Sequence, residues 1–143
     1  MAALPFQLFP LVIVPAEVQQ ELLAKGSPDQ GQLEMALKNA RIHPSSNTPD
    51  PLLNSELDGG EASVISTALE LGISALILDE RKARRIASMV YGLQCKGTAG
   101  LLVEAKSRGL IGAVKPCLEG MIQGGYFLGP ALVAACLSAA GES

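Results

Sequence analysis

The chain has 143 residues, which is the usual size of one domain. Hydrophobic residues make up 48% of it and charged residues 17%, so a buried core is expected and intrinsic disorder is excluded as the default state. The net charge of −3 and the aromatic content of 3% exclude a global positive field and an aromatic platform for stacking bases. Any contact with nucleic acid must therefore come from a local basic patch.

The first half of the chain predicts two strands with helices between them. The run at 11–14, Leu-Val-Ile-Val, is continuous and bounded by prolines, which favours a strand buried on both faces of a parallel sheet. The spacing of apolar residues predicts helices over 16–25 and 32–40, and a short extended segment at 41–43 follows. Residues 44–51, rich in Pro and Ser, predict a loop.

The second half begins with a helix that opens around 57–61 and ends at Gly72. The pattern then predicts a buried strand at 74–78, a basic amphipathic helix at 80–91 and a short strand at 93–96. It closes with a helical third, over 98–107, 114–122 and 130–140. This alternation indicates an α/β fold with βαβ units and right-handed crossovers, and no boundary divides it, so we expect one domain over 1–143.

The cysteines Cys95, Cys117 and Cys136 are widely spaced, and His43 is the single histidine. Without a CxxC pair we expect thiols in a reducing cytosol and no zinc site. The apolar runs at 8–14 and 127–140 are short and contain proline, and the first ten residues lack the positive segment of a signal peptide. We therefore expect a cytoplasmic protein that has no membrane contact.

Three acids fall near places where ligands bind in open α/β sheets, beyond the carboxyl ends of strands: Glu21, Glu61 and Asp79. Clustered carboxylates with no soft ligand beside them suit Mg²⁺ or Mn²⁺. Each acid also has a structural interpretation. Asp58 and Glu61 have the spacing of a capping box, Asp79 can cap the next helix, and Glu21 can be a solvated helix residue. The residues alone leave both interpretations open.

A basic cluster, Arg81, Lys82, Arg84 and Arg85, follows the strand at 74–78. It is either a solvated helix face or a ridge that contacts phosphates. The segment 97–100, Gly-Thr-Ala-Gly, opens a helix whose free N–H groups could cradle an anion. It lacks the spacing of a P-loop, which excludes an NTPase.

Three segments, in order along the chain, resemble the PIN-domain superfamily: VIVPAEVQQELL, LDGGEASVISTALELG and ALILDERKARRIA. The downstream GTAGLLVEAKSRGLI and the closing GGYFLGPALVAACLSAAGE are similar to a PIN-like branch of prokaryotic proteins. The resemblance covers nearly the whole chain from about Leu11. It implies a mainly parallel sheet flanked by helices and a Mg²⁺- or Mn²⁺-dependent ribonuclease, often the toxin of a toxin–antitoxin pair.

Carried onto this sequence, the resemblance implies metal ligands at Glu21, Glu61 and Asp79, with Glu61 and Asp79 as the catalytic pair. Asp58 would hold these ligands in position, and Thr98, which matches a Gly-Thr pair of the branch, would either do the same or have a structural role. The nucleic-acid contacts would come from the basic cluster, at Arg81, Arg84 and Arg85.

The family begins with a strand that ends in an Asp, whereas this sequence has no Asp before position 29. We therefore expect the family's first strand and first metal ligand to be missing, which would impair metal binding. In the family that strand lies in the middle of a sheet of order 3-2-1-4-5. Its loss would leave the inner edges of the neighbouring strands unpaired, and each buried backbone group without a partner would cost about 1–3 kcal/mol of stability. Three resolutions stay open: a start inside a longer gene, direct pairing of the inner strands, or a homodimer.

Two functions follow as hypotheses. The first is a metal-dependent ribonuclease with RNA as substrate and an antitoxin protein as partner. The alternative is a catalytically inactive PIN-like module that binds a partner or regulates one. A receiver-like phosphoacceptor needs paired acids after the first strand, where this chain offers only Glu17.

Overall fold

The computed structural model describes residues 4–24, 30–44, 50–125 and 128–143. The chain divides into two compact units, Met1–Lys96 and Gly97–Ser143, each with its own internal packing. Most of the predicted loop at 44–51 and the end of the predicted helix at 16–25 lie outside the described residues.

The first unit alternates helices with short strands, as the sequence pattern predicted. Its helices are α1 (Leu4–Leu8), α2 (Ala16–Ala24), α3 (Gln30–Leu37), α4 (Pro51–Glu56), α5 (Gly59–Leu71) and α6 (Arg81–Met89). Its strands are β1 (Ile13–Pro15), β2 (Arg41–His43), β3 (Ala75–Ile77) and β4 (Gln94–Lys96). The mixed α/β class is confirmed, while α1 and α4 were not predicted.

The four strands form two separate parallel pairs. β1 pairs with β2, with Ile13 opposite Arg41, and β3 pairs with β4, with Ala75 opposite Gln94. Within the described ranges no ladder joins β1 to β3, so these two strands do not close directly onto each other there.

Helix α5 is the centre of the first unit, because it contacts both β1 and β3 as well as α2, α4 and α6. Its Ile65 is fully buried in a core with Leu53 of α4 and Leu76 of β3. The helix ends at Gly72, whose φ of 69° lies in the left-handed region that glycine adopts without steric cost. A single helix therefore supports both sheets.

The second unit is helical, as predicted for the C-terminal third, and contains α7 (Thr98–Ser107), α8 (Lys115–Gln123) and α9 (Pro130–Ala139). Helices α7 and α9 contact each other. Lys106 Nζ donates hydrogen bonds to Ala140 O at 2.7 Å and to Glu142 Oε2 at 2.9 Å. In the described ranges of both units, every helix is too short or too polar to cross a bilayer.

Candidate carboxylate site

The first turn of α5 holds Glu61 in a capping arrangement. Asp58 is the N-cap, and its Oδ1 accepts a hydrogen bond from the Glu61 backbone N–H at 2.8 Å. The Glu61 carboxyl in turn accepts a hydrogen bond from the backbone N–H of Asp58, and this bond lowers the pKa of Glu61. The capping box expected from the spacing is therefore present, and it turns the Glu61 side chain back over the start of the helix.

The effects that raise the pKa of Glu61 are larger than the effect of this hydrogen bond. Burial, and then the neighbouring carboxyls of Asp58 and Glu80, raise the pKa of Glu61 to about 7. Its Oε2 is buried and accepts no hydrogen bond from the part of the chain that the structure describes. A buried oxygen without a donor beside other carboxyls is uncommon, because most buried polar groups are hydrogen-bonded.

Glu80 is the second member of the site, and the sequence interpretation did not single it out. It occupies the N-cap of α6, where its Oε2 accepts the backbone N–H of Ala83 at 2.8 Å. Hydrogen bonds from the N–H groups of Lys82 and Ala83 lower its pKa. The alternative in which Asp79 caps this helix is wrong, since Glu80 takes that position. Asp79 lies exposed, one residue earlier.

Glu21 of α2 reaches the same helix start. A Cβ placed on Gly60 would lie 2.6 Å from Glu21 Oε2 and 2.7 Å from Oε1, so the carboxylate rests directly on the glycine. Gly60 precedes Glu61 and is buried. The absence of a side chain at position 60 is what leaves room for Glu21.

The site therefore collects oxygen donors of the kind that Mg²⁺ and Mn²⁺ prefer, with an orphaned buried oxygen among them. Across the described ranges, however, no three His, Cys, Asp or Glu side chains are arranged so that they could hold a metal ion. Glu61 and Glu80, which interact with each other, nevertheless fit Mg²⁺ in type and number, because this ion is usually bound by one or two carboxylates, with water and substrate phosphates as its other ligands.

The basic cluster begins directly after Glu80. Lys82 Nζ forms an ion pair with Glu56 Oε2 at 2.9 Å, and its charge also acts on Glu80 and Glu61. Arg81 and Arg85 are exposed, and Arg84 is half-buried. The exposed arginines thus lie in the first two turns of α6, the helix that Glu80 caps.

Thr98, the remaining residue implied by the resemblance, is the first residue of α7 in the second unit. The N-cap of that helix is Gly97, which makes no side-chain capping bond. The Cys95 thiol, which the site does not use, has a pKa raised by burial and lowered to a smaller extent by Arg84.

Fold and site together define an α/β protein with acidic side chains gathered beside the starts of two helices. The model of a family described as a PIN domain matches residues 2–142, and the chain belongs to this family, as its segments predicted. Searches of curated proteins and of solved structures found no match.

Proposed function

We propose that this chain is a metal-dependent nuclease that acts on RNA, with Glu61 at the centre of its site. The observation that carries the proposal is the Glu61 carboxyl, whose buried Oε2 lacks a hydrogen-bond donor in the described ranges while Asp58 and Glu80 stand beside it. A bound cation would relieve both the missing hydrogen bond and the repulsion between carboxyls, and it would replace the proton that the raised pKa of Glu61 otherwise favours.

Glu61 and Glu80 are the proposed primary ligands of Mg²⁺ or Mn²⁺, with Glu21 and Asp79 as further candidates. When bound, the ion would activate water for attack on a phosphodiester and stabilise charge on the leaving oxygen. Asp58 holds Glu61 in position through the capping box. Arg81 and Arg85, which are exposed, would contact the phosphate backbone of the substrate, as arginines do in many complexes with nucleic acids.

The experiment compares Glu61→Gln, Glu80→Gln and Asp79→Asn with the wild type in Mn²⁺ calorimetry and in cleavage of single-stranded RNA. Glutamine can serve at the third helical position of a capping box, so Glu61→Gln should keep the helix start. We expect Glu61→Gln and Glu80→Gln to weaken both Mn²⁺ binding and cleavage by at least about 10- to 100-fold, as losses around a metal do.

Glu34→Gln is the matched control, because Glu34 is an exposed acid of the same unit on α3. It should leave binding and cleavage unchanged. If Glu61→Gln cleaves RNA as fast as the wild type does, the assignment of the site is wrong. A loss in Asp79→Asn alone would move the second ligand from Glu80 to Asp79.

The alternative function is a catalytically inactive module that binds a partner protein. It is favoured by the lack of a three-residue metal group in the described ranges. The wild type would then show no Mn²⁺ heat above background and no RNA cleavage that depends on the ion.

A toxin role within a toxin–antitoxin pair is a further part of the nuclease proposal. Induced expression of the wild type would then stop the growth of a bacterial host, and Glu61→Gln would relieve the arrest. Growth arrest by both proteins would show that the effect does not come from this site.

A further inference from the structure

Lys82 is a member of the basic cluster whose charge interacts with the acids of the carboxylate site. It is the second residue of α6, and Glu80, two positions earlier, is the N-cap of that helix. Glu56, and to a lesser extent Glu80 and Glu61, raise the pKa of Lys82. The side chain of Lys82 is 55% exposed, so its position depends on these charges rather than on packing.

The partner of Lys82 is Glu56 of α4. Lys82 Nζ lies 2.9 Å from Glu56 Oε2, and the Glu56 side chain is 44% exposed. Glu56 is the last residue of α4 and precedes Asp58, the N-cap of α5, by two positions. The ion pair therefore joins two segments, each of which also carries a residue of the site two positions away.

The pairing with Glu56 directs the lysine away from Glu61. Although the charge of Lys82 interacts with that of Glu61, its hydrogen bond goes to Glu56. The buried Oε2 of Glu61 accepts no hydrogen bond within the described ranges. A lysine bonded to Glu61 would take the place proposed for the metal ion, and its charge would repel the ion. By holding and neutralising Lys82, Glu56 keeps that place available.

An exposed ion pair of this kind can exchange its anion at little cost. Lysine and glutamate at the surface gain little free energy from pairing, because both remain hydrated and both lose side-chain entropy. A phosphodiester carries one negative charge on two free oxygens, as a carboxylate does. Lysine binds phosphate as a point charge and requires no fixed bonding geometry. A phosphate can therefore replace the Glu56 carboxylate at Lys82 Nζ.

We propose that Lys82 binds a phosphate of single-stranded RNA beside the carboxylate site, and that Glu56 holds Lys82 until the RNA displaces it. The exchange places a cation against the substrate phosphate close to Glu61 and Glu80. Arg85, about one turn further along α6, contacts another part of the strand. Since the ligand is the proposed RNA substrate, this exchange rests on the proposed function and adds to it a phosphate-binding residue and the acid that competes for it.

The first test measures RNA binding in the presence of a chelator, so that no cleavage occurs. The probe is a short fluorescein-labelled oligouridine, followed by fluorescence anisotropy at several salt concentrations. We expect Lys82→Gln to weaken binding about two- to fivefold and to reduce the slope of log K against log salt by about 0.7, the value of one phosphate contact on a single strand. Lys82→Arg keeps the charge and should retain both. Lys38→Gln, at an exposed lysine of the same unit, is the matched control and should change neither.

The second test removes the competing acid. Glu56→Gln should strengthen RNA binding by about two- to fivefold, because Lys82 then has no ion pair to break. In a Lys82→Gln background the same change should have no larger effect than Glu34→Gln, which removes an equal charge elsewhere in the unit. This double-mutant cycle separates the exchange of one ion pair from a general loss of negative charge.

Mn²⁺ calorimetry supplies a readout without RNA. Lys82→Gln should bind Mn²⁺ at least as tightly as the wild type does, because a nearby positive charge is lost. Glu56→Gln should bind it more weakly, because the unpaired Lys82 then competes for Glu61, and adding Lys82→Gln should abolish this loss.

Unchanged RNA affinity and salt dependence in Lys82→Gln would overturn the proposal. An equal gain from Glu56→Gln with and without Lys82 would overturn it as well, and so would a wild type that does not bind the oligouridine. A wild type that binds no Mn²⁺ and cleaves no RNA, yet shows the expected effects of Lys82 and Glu56 on RNA binding, would remove the nuclease function and support the exchange.

Discussion

Gly60 illustrates how one position without a side chain can organise a site. The Glu21 carboxylate lies where a Cβ of residue 60 would be, while Gly59 beside it has nothing within 4 Å of such an atom. The contact involves the far end of a flexible side chain, so a methyl group at position 60 would displace the carboxylate without breaking the fold. A substitution at position 59 should therefore affect helix stability alone, whereas one at position 60 should also displace the Glu21 carboxylate.

We predict that Gly60→Ala preserves or slightly raises the free energy of unfolding, because alanine favours a helix over glycine by up to about 1 kcal/mol. The same change should weaken Mn²⁺ binding as much as Glu21→Gln does, if Glu21 belongs to the site. Thermal melting and Mn²⁺ calorimetry measure the two effects. Gly59→Ala is the control, and it should change stability alone.

The combination of Gly60→Ala with Glu21→Gln provides a further check. Since both changes act through one carboxylate, the double variant should bind Mn²⁺ no more weakly than either single variant. Additive losses would mean that position 60 acts on the site by a route other than Glu21.

The sequence predicted part of this site and missed part of it. The spacing of Asp58 and Glu61 was enough to predict a capping box, because that motif depends on local helix geometry alone. Asp79 and Glu80 are adjacent acids that fit the same end-of-strand pattern. Which of them caps α6 depends on where β3 stops, and a one-residue difference of that kind is not encoded in periodicity.

At the scale of elements, α4 shows why a short helix is not predicted from the periodicity of apolar residues. Pro51 is its first residue and Asp50 its N-cap, with Asp50 Oδ1 accepting the Leu52 N–H at 3.0 Å. Asp followed by Pro is a recognised helix start, but it also marks a turn, and six residues are too few to show a helical repeat. The longer α5, α6 and α7 were all predicted, because each spans more than two turns.

The short α4 nevertheless anchors the core. Leu53 is fully buried, whereas its neighbour Leu52 is 38% exposed. We predict that Leu53→Ala lowers the free energy of unfolding by about 2–5 kcal/mol, as losses of buried leucine do. Leu52→Ala, on the outer face of the same helix, should stay within about 0.5 kcal/mol of the wild type. Urea unfolding followed by circular dichroism measures both, and equal effects would contradict the assigned faces.

At the scale of whole units, one acid of the second unit, Glu142, links two of its helices. Glu142 accepts hydrogen bonds from the backbone N–H of Val114 at 2.8 Å and of Lys115 at 3.1 Å, at the start of α8, besides its ion pair with Lys106 of α7. The Val114 N–H, then Lys106, hold the pKa of Glu142 at about 2. The charged form is therefore the one that the folded unit stabilises.

This lowered pKa gives a defined pH dependence. A carboxyl whose pKa is lower in the folded state than its ordinary value of 4.5 contributes stability above that value, and the contribution is lost as the pH falls towards about 2. We predict that Glu142→Gln is less stable than the wild type at pH 7 and that the difference shrinks between pH 4.5 and pH 2. Urea titrations at several pH values measure it.

Glu119→Gln is the control for this series, because Glu119 is an exposed acid in the same unit. Its unfolding should follow that of the wild type throughout. A difference between Glu142→Gln and the wild type that persists unchanged at pH 2 would show that charge is not the source of the effect.

The pairing of consecutive strands within each sheet has a consequence for how the first unit assembles. β1 and β2 are joined by the chain that runs between them, and so are β3 and β4, so either ladder can form before the other exists. Among the described strands the two ladders share no hydrogen bond, and α5 contacts both. We therefore expect that either sheet can open without the other, and that the packing of α5 against both sheets couples their unfolding.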